Sequence, residues 1–319
     1  MSERLISSVV VALVATAALA AQEPGQAGAP AETPVFSSGV DAVVVNVTVR
    51  DSRGRIVRDL ERSDFEVLDT GFGRPIQEFY AGSSPISLAI LLDISGSMSV
   101  GGNMDRAREA VALAASHLGG ESDEAALFTF DSGMQQVVPF TQDMDRLRQV
   151  TLQGRPWGKT SLFDAIAGTA RLVAERDNRH RAVLVITDGV DTGSHLTGPQ
   201  VSAVASGIDV PVYLVTVAHP LDHPGGDREV PASEERVAET ATLADLARWT
   251  GGDLRIVSVR AHTVKELKDL FAELRHHYVI IFEPGPRPGW HPLEIRTRNP
   301  SHVVRARSGY VTEPRPSGA

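Results

Sequence analysis

The stretch Ile86-Ser87-Leu88-Ala89-Ile90-Leu91-Leu92 runs directly into Asp93-Ile94-Ser95-Gly96-Ser97, and its reading decides the fold. The apolar run is too short for a core helix and too continuous for a strand with one wet face. It is predicted as a strand buried on both faces, as parallel sheets require. A carboxylate and two hydroxyls at alternating positions then follow at the strand's carboxyl end. In open α/β sheets that edge is where ligands bind. Oxygen donors on a tight turn containing glycine suit a hard divalent cation such as Mg²⁺, which prefers octahedral oxygen coordination at roughly 2.0–2.1 Å. Taken alone, the same residues also fit an ordinary strand-ending turn.

Two further donors stand at corresponding places. Asp188 follows the apolar run Val183-Leu184-Val185-Ile186 in Thr187-Asp188-Gly189, and Thr160 lies in Gly158-Lys159-Thr160-Ser161, just before a helical pattern. Asp93, Ser95, Ser97, Thr160 and Asp188 are therefore expected to converge on one sheet edge from three loops. In order and strand context this set resembles the metal-ion-dependent adhesion site of von Willebrand factor type A domains, over residues 85–276. The phrases Arg62-Ser63-Asp64-Phe65-Glu66-Val67-Leu68-Asp69 and Ser308-Gly309-Tyr310 resemble, more weakly, those of exported bacterial proteins built around such a domain.

The resemblance implies that Ser95, Ser97 and Thr160 bind the cation directly or nearly so. The cation would be Mg²⁺, or else Ca²⁺ or Mn²⁺. Asp93 and Asp188 would act from close by, often through water. Hydroxyl-rich ligation leaves the ion short of negative charge, so an Asp or Glu from a protein ligand would complete its shell. That is a binding device without a reaction. The family often has a second glycine where Lys159 stands here. Lys159, Asp191, His219 and His223 are assigned to the partner-facing rim or to tuning of the site, against the plainer reading that a long Lys chain reaches into solvent.

From Pro85 onward strand and helix patterns alternate. Ala107, Ala110, Val111, Ala114, Ala115 and Leu118 fall on one helical face, as do Leu162, Ala165, Ile166, Thr169 and Val173. Residues 125–130 and 136–140 read as a hairpin around Asp131-Ser132-Gly133, and 182–186 and 212–217 as further buried strands. A helix through Leu243, Leu246 and Ala247 ends at Gly251-Gly252, and another is expected over 264–276. This alternation predicts an α/β fold for 85–276, a doubly wound, mostly parallel sheet.

The flanks are β in texture. Val43, Val45, Val47 and Val49 alternate with Val44, Asn46, Thr48 and Arg50, a period-two strand. Short strands are expected at 64–68, 74–80, 278–282, 293–298 and 303–310. Neither flank is large enough to stand alone. Residues 40–82 and 278–312 are thus expected to pack as one smaller all-β sandwich with the α/β domain inserted, leaving 313–319 as a tail. Arg296, Arg298, Arg305 and Arg307 read as a solvated basic strand face, with docking to an acidic partner or envelope surface as the alternative. Asn46-Val47-Thr48 is formally a glycosylation triplet, but lies within a strand.

The 319 residues include no cysteine, which excludes thiolate metal sites, Cys nucleophiles and disulfides. A net charge of −9 argues against nucleic acid as a principal partner. Leu5 to Ala20 is an apolar run after Arg4, ending in Ala18-Leu19-Ala20-Ala21. Residues 1–21 are read as a signal peptide and 22–39 as a flexible leader, placing the mature chain in the periplasm or outside the cell. An uncleaved membrane anchor is the alternative, although the run is shorter than the roughly 20 residues a spanning helix needs.

Rival chemistries fit less well. Gly154-Arg155-Pro156-Trp157-Gly158-Lys159-Thr160 has three residues between its glycines, whereas a phosphate loop has four and follows a buried strand, so a nucleotide role is not expected. No Gly-x-Ser-x-Gly elbow accompanies Ser95 or Ser97. His219 and His223 lack zinc-helix spacing. Trp157 and Trp290 lie in Pro/Gly-rich loops, as anchors or as exposed contacts. The expectation is an exported, non-enzymatic protein that recognises a protein ligand through its metal. The alternatives are an envelope scaffold with a stabilising metal and, less favoured, a metal-dependent hydrolase.

Overall fold

A computed structural model describes residues 42–150, 156–219 and 234–312, without the side chains of 234–241. The segments read as signal peptide and leader, Gly154, His223 and the 313–319 tail lie outside the described residues. Strand β1 is Val43–Arg50, β2 Phe65–Asp69, β3 Phe72–Arg74, β4 Ile76–Tyr80 and β5 Ile86–Asp93. Helix α1 (Asn103–His117), β6 (Glu124–Phe130), β7 (Met134–Thr141), α2 (Met144–Arg148), α3 (Leu162–Ala174) and β8 (His180–Thr187) follow. Then come α4 (Gly198–Gly207), β9 (Val212–Val217), α5 (Glu234–Thr250), β10 (Leu254–Val257) and α6 (Arg260–Arg275). The chain continues with β11 (Tyr278–Phe282), β12 (Gly289–Thr297), β13 (Val303–Arg305) and β14 (Gly309–Thr312).

All eight residues of β5 are buried, as the continuous apolar run requires. Its side chains alternate between two cores. Ile86, Leu88, Ile90 and Leu92 pack with α1, α2 and α6, whereas Ala89 and Leu91 pack with α3, α4 and α5. The sheet order is β10-β9-β8-β5-β6-β7, parallel throughout except for the β6–β7 hairpin. Chain order reverses at β5: β6 lies on one side and β8 on the other. This reversal opens a crevice at the carboxyl ends of β5 and β8, the topological switch point where open α/β sheets bind ligands.

The two flanks together build a β-sandwich. One sheet has the order β13-β1-β11-β4 and the other β14-β12-β2-β3, so each mixes N-terminal and C-terminal strands. Val45 faces Ile280 in the β1–β11 register, and Ile295 faces Val67 in β12–β2. Val45, Val47, Val49, Phe65, Val67, Ile280, Phe282 and Tyr310 fill the space between the sheets. Along β12 the pattern is the expected one, with His291, Leu293 and Ile295 inside and Glu294 and Arg296 outside.

Strand β1 departs from the period-two reading, because Asn46 and Thr48 are buried as well. Their face packs against the α/β layer. Asn46 donates to Asp209 at 2.6 Å, so this side chain is engaged in the interior and the glycosylation reading falls. Thr48 and Arg50 both donate to Glu273, which is wholly buried near the end of α6.

For Arg305 and Arg307 the solvated basic face is overturned in the same region. Arg307 is 5% exposed and donates to the carbonyls of Ser206 and Val44, beside Asp209. Arg305 pairs with Asp253 at 2.6 Å and approaches Glu273 at 3.6 Å. These guanidiniums neutralise acids of the α/β layer, so the layer and the sandwich form one compact unit, Val40–Ala319. Breaking such a pair from one side leaves an uncompensated buried charge and costs about 3–5 kcal/mol. Of the expected four, Arg296, paired with Glu294, and Arg298 remain surface residues.

Candidate metal centre

The site grows from the last residue of β5. Asp93 is fully buried, and its carboxylate is gripped from two loops. Its Oδ1 accepts the Ser95 N–H at 2.8 Å, and its Oδ2 accepts the Thr187 hydroxyl at 2.6 Å. Thr187 Oγ1 in turn accepts the Gly189 N–H at 3.0 Å, which ties the β8 turn to the β5 turn. Ser95 is buried with its Oγ 3.1 Å from Ser97 Oγ. Gly96–Ser99 is a single 3-10 turn whose Met98 side chain is buried, anchoring the loop that carries both serines.

A third loop lies alongside. The Gly96 N–H donates to the Gly158 carbonyl at 3.2 Å, and the Trp157 N–H donates to the Ile94 carbonyl at 3.1 Å. Gly158 adopts φ +92°, a conformation that favours glycine there. Two residues later Thr160 is buried, its N–H donating to Thr192 Oγ1 at 2.9 Å. Its carbonyl accepts the N–H groups of Thr192 and Gly193, both at 2.9 Å. Backbone hydrogen bonds thus join the Thr160 loop to both the β5 turn and the segment after β8.

Burial is the main cause that raises the Asp93 carboxyl from 3.8 to about 6, and the nearby charge of Asp188 adds to it. Hydrogen bonds from Ser95 and Thr187 oppose the rise without cancelling it. Two carboxylates set together at low exposure repel each other, and a divalent cation between them would relieve both. Among the described residues no group of three or more His, Asp or Glu is placed to hold a metal, so hydroxyls must supply much of any shell. Carboxylate and hydroxyl oxygen without nitrogen or sulfur is the donor set of Mg²⁺, Ca²⁺ or Mn²⁺. The residues fit such an ion.

The outlying candidates take different places. Lys159 is exposed. Asp191 accepts the Leu162 N–H at 2.8 Å and the Ser194 hydroxyl at 2.6 Å, so its carboxylate caps the start of α3. His219, at the end of β9, is half-buried with its ring against Gly101, in the loop after Ser97. His223 lies outside the described residues. Sequence reasoning missed Thr187 and Thr192 as positioning residues. Thr187 stood beside Asp188 but its grip on Asp93 is a long-range contact, and nothing local marks Thr192. A surface groove lined by Glu61, Arg62, Phe65, Arg74, Ile76 and Arg298 belongs to the sandwich, on strands that contribute nothing to this cluster.

Fold and site together define a class: a doubly wound α/β domain with an oxygen-donor cluster at the switch point of its sheet. Residues 88–190 match the family model of the von Willebrand factor type A domain, a span that includes Asp93, Ser95, Ser97, Thr160 and Asp188. The chain carries a von Willebrand factor type A domain. Among solved structures it is similar to an aerotolerance-related membrane protein of Bacteroides fragilis, at 20% identity and TM-score 0.44, over 59% of this chain and 98% of that one. It is also similar to the conserved hypothetical protein BatB of Bacteroides thetaiotaomicron, at 18% identity and TM-score 0.42, with the same coverage of 59% and 98%. A von Willebrand factor type A protein of Catenulispora acidiphila matches at 13% identity and TM-score 0.47, over 86% of this chain and 75% of that one. No curated protein matches the chain.

Proposed function

We propose that this protein recognises a protein ligand through a divalent cation held by Ser95, Ser97 and Thr160, with Asp93 and Asp188 in support. Mg²⁺ is the first choice, with Ca²⁺ or Mn²⁺ as substitutes. When bound, the ion supplies an electrophilic position for an Asp or Glu carboxylate of the ligand. The chain's own residues do the rest. Asp93 holds the Ser95 turn and the Thr187 turn together and carries the charge that draws the ion in. Thr160 is fixed through its backbone, and its loop is tied to Gly96. The observation that carries the reading is this meeting of three loops around a buried carboxylate.

The reading is one of binding without turnover. The hydrogen-bond neighbour of Ser95 Oγ is the Ser97 hydroxyl, and one serine hydroxyl does not activate another as a nucleophile. Neither nucleotide nor nucleic acid is the ligand. The reading of residues 1–21 as a signal peptide supports a location in the periplasm or outside the cell. Among the described residues no helix is long and apolar enough to cross a membrane.

A pulldown from envelope extract with the full chain tests this, run in Mg²⁺ and again with chelator. A protein retained only in Mg²⁺, and lost with Ser95→Ala at unchanged melting temperature in chelator, supports recognition. Retention that ignores chelator and Ser95→Ala alike contradicts it.

A further inference from the structure

Trp157 is, at 83% exposure, the most exposed large apolar side chain among the described residues. Its backbone is pinned. The Trp157 N–H donates to Ile94, and the Gly158 carbonyl accepts from Gly96, so two hydrogen bonds clamp this loop to the turn that carries Ser95 and Ser97. An indole held in water on an anchored backbone adds nothing to the core, and large rigid aromatic side chains carry much of the binding energy when a partner covers them. The same turn ends at Val100, which is 67% exposed, and the next residue, Gly101, meets the His219 ring. Lys159, exposed two residues after Trp157, adds positive charge to this edge.

We propose that Trp157, with Val100, is a specificity platform: it selects a partner loop with a large apolar or aromatic side chain beside the acidic residue that reaches the metal. This rests on the recognition reading above and adds a second determinant to it. The occupant is an exposed loop of a partner protein, argued from complementarity. The cation and Lys159 attract a carboxylate, and the indole offers dry area and a ring face for an adjacent side chain. Buried aromatic anchors carry a disproportionate share of interface energy, and aromatic pairs gain beyond their area.

The test is a display library of cyclic peptides, each with one fixed Glu among randomised positions, selected on the full chain in Mg²⁺ and eluted with chelator. The expected peptides carry an aromatic or large aliphatic residue close to the Glu. Trp157→Ala should lose that flanking preference and bind the best peptide on the order of thirtyfold more weakly. Its calorimetric Mg²⁺ uptake should match the parent, and Trp157→Phe should restore most of the peptide affinity. If the preference persists in Trp157→Ala, or selected peptides have Glu without an apolar neighbour, this inference is overturned while metal-dependent recognition stands. If Mg²⁺ enriches no peptide at all, both are overturned.

Discussion

Asp93→Asn should make the metal-free protein more stable and at the same time abolish its response to Mg²⁺. The carboxyl is fully buried, and lifting it from 3.8 to about 6 corresponds to about 3 kcal/mol. Because the folded value is the higher one, the folded chain binds the proton more tightly than the unfolded chain. Between about pH 6 and 4 this group therefore favours folding as pH falls, and near neutral pH the ionised carboxylate opposes folding by the full amount. An Asn keeps an oxygen for the Ser95 N–H and turns an amide toward Thr187, at nearly constant volume. In chelator the variant should gain up to about 3 kcal/mol in urea unfolding near neutral pH. Saturating Mg²⁺ reverses the order. At a hundred times Kd the parent gains about 2.7 kcal/mol, and the variant, lacking the attracting charge, gains little. The reasoning is refuted if Asp93→Asn is destabilised in chelator and still gains from Mg²⁺ as much as the parent does.

Thr187→Val removes the hydroxyl that Asp93 Oδ2 accepts while leaving every proposed ligand in place, so Mg²⁺ affinity should fall about 10–100-fold by calorimetry. An unchanged affinity would mean that the Thr187 contact plays no part in the site. Glu273→Ala strands Arg50 and leaves Arg305 with Asp253 alone, and should cost about 3–5 kcal/mol in chemical denaturation. A loss below about 1 kcal/mol would show that the sandwich is not anchored through this carboxylate. His180 is held down at about 4 by burial, against an ordinary 6.5. The sign is opposite to that of Asp93. A folded value below the unfolded one means stability is complete above pH 6.5 and is lost as pH falls toward 4, by about 3 kcal/mol. In an Asp93→Asn background, which removes one opposing group, His180→Leu should reduce that acid slope of the urea midpoint, leaving the share of His277, which burial also holds low. A slope left intact would place its origin elsewhere.

Much of the fold could be read from short-range pattern, and what could not depended on distant partners. The β5 run declared itself because a strand buried on both faces has no wet position to interrupt it. Strand β1 showed its inner valines plainly. Its other face looked wet because Asn46 and Thr48 are polar, yet their acceptors, Asp209 and Glu273, come from the inserted layer. Arg305 and Arg307 misled for the same reason. A guanidinium looks like surface until its carboxylate is known. Helix α4 went unread, being short, opened by Gly198-Pro199 and rich in serine, and β10 is only Leu254–Val257 with Arg255 inside it. The end of the chain read as one strand over 303–310, but it breaks into β13 and β14 where Arg307 turns inward. At the site, Asp93, Ser95, Ser97 and Asp188 stood in recognisable phrases at strand ends. The grip of Thr187 and the cap by Asp191 are contacts across the sheet edge that no local spacing encodes.

Calorimetric titration of the 319-residue chain with MnCl₂ and MgCl₂, after exhaustive chelation, bears most directly on the cation site. The account requires one ion per chain, an uptake that Ser95→Ala and Thr160→Ala each weaken sharply while both variants melt like the parent in chelator. Heat traces indistinguishable from buffer for both salts, or a stoichiometric uptake that neither substitution disturbs, would contradict it.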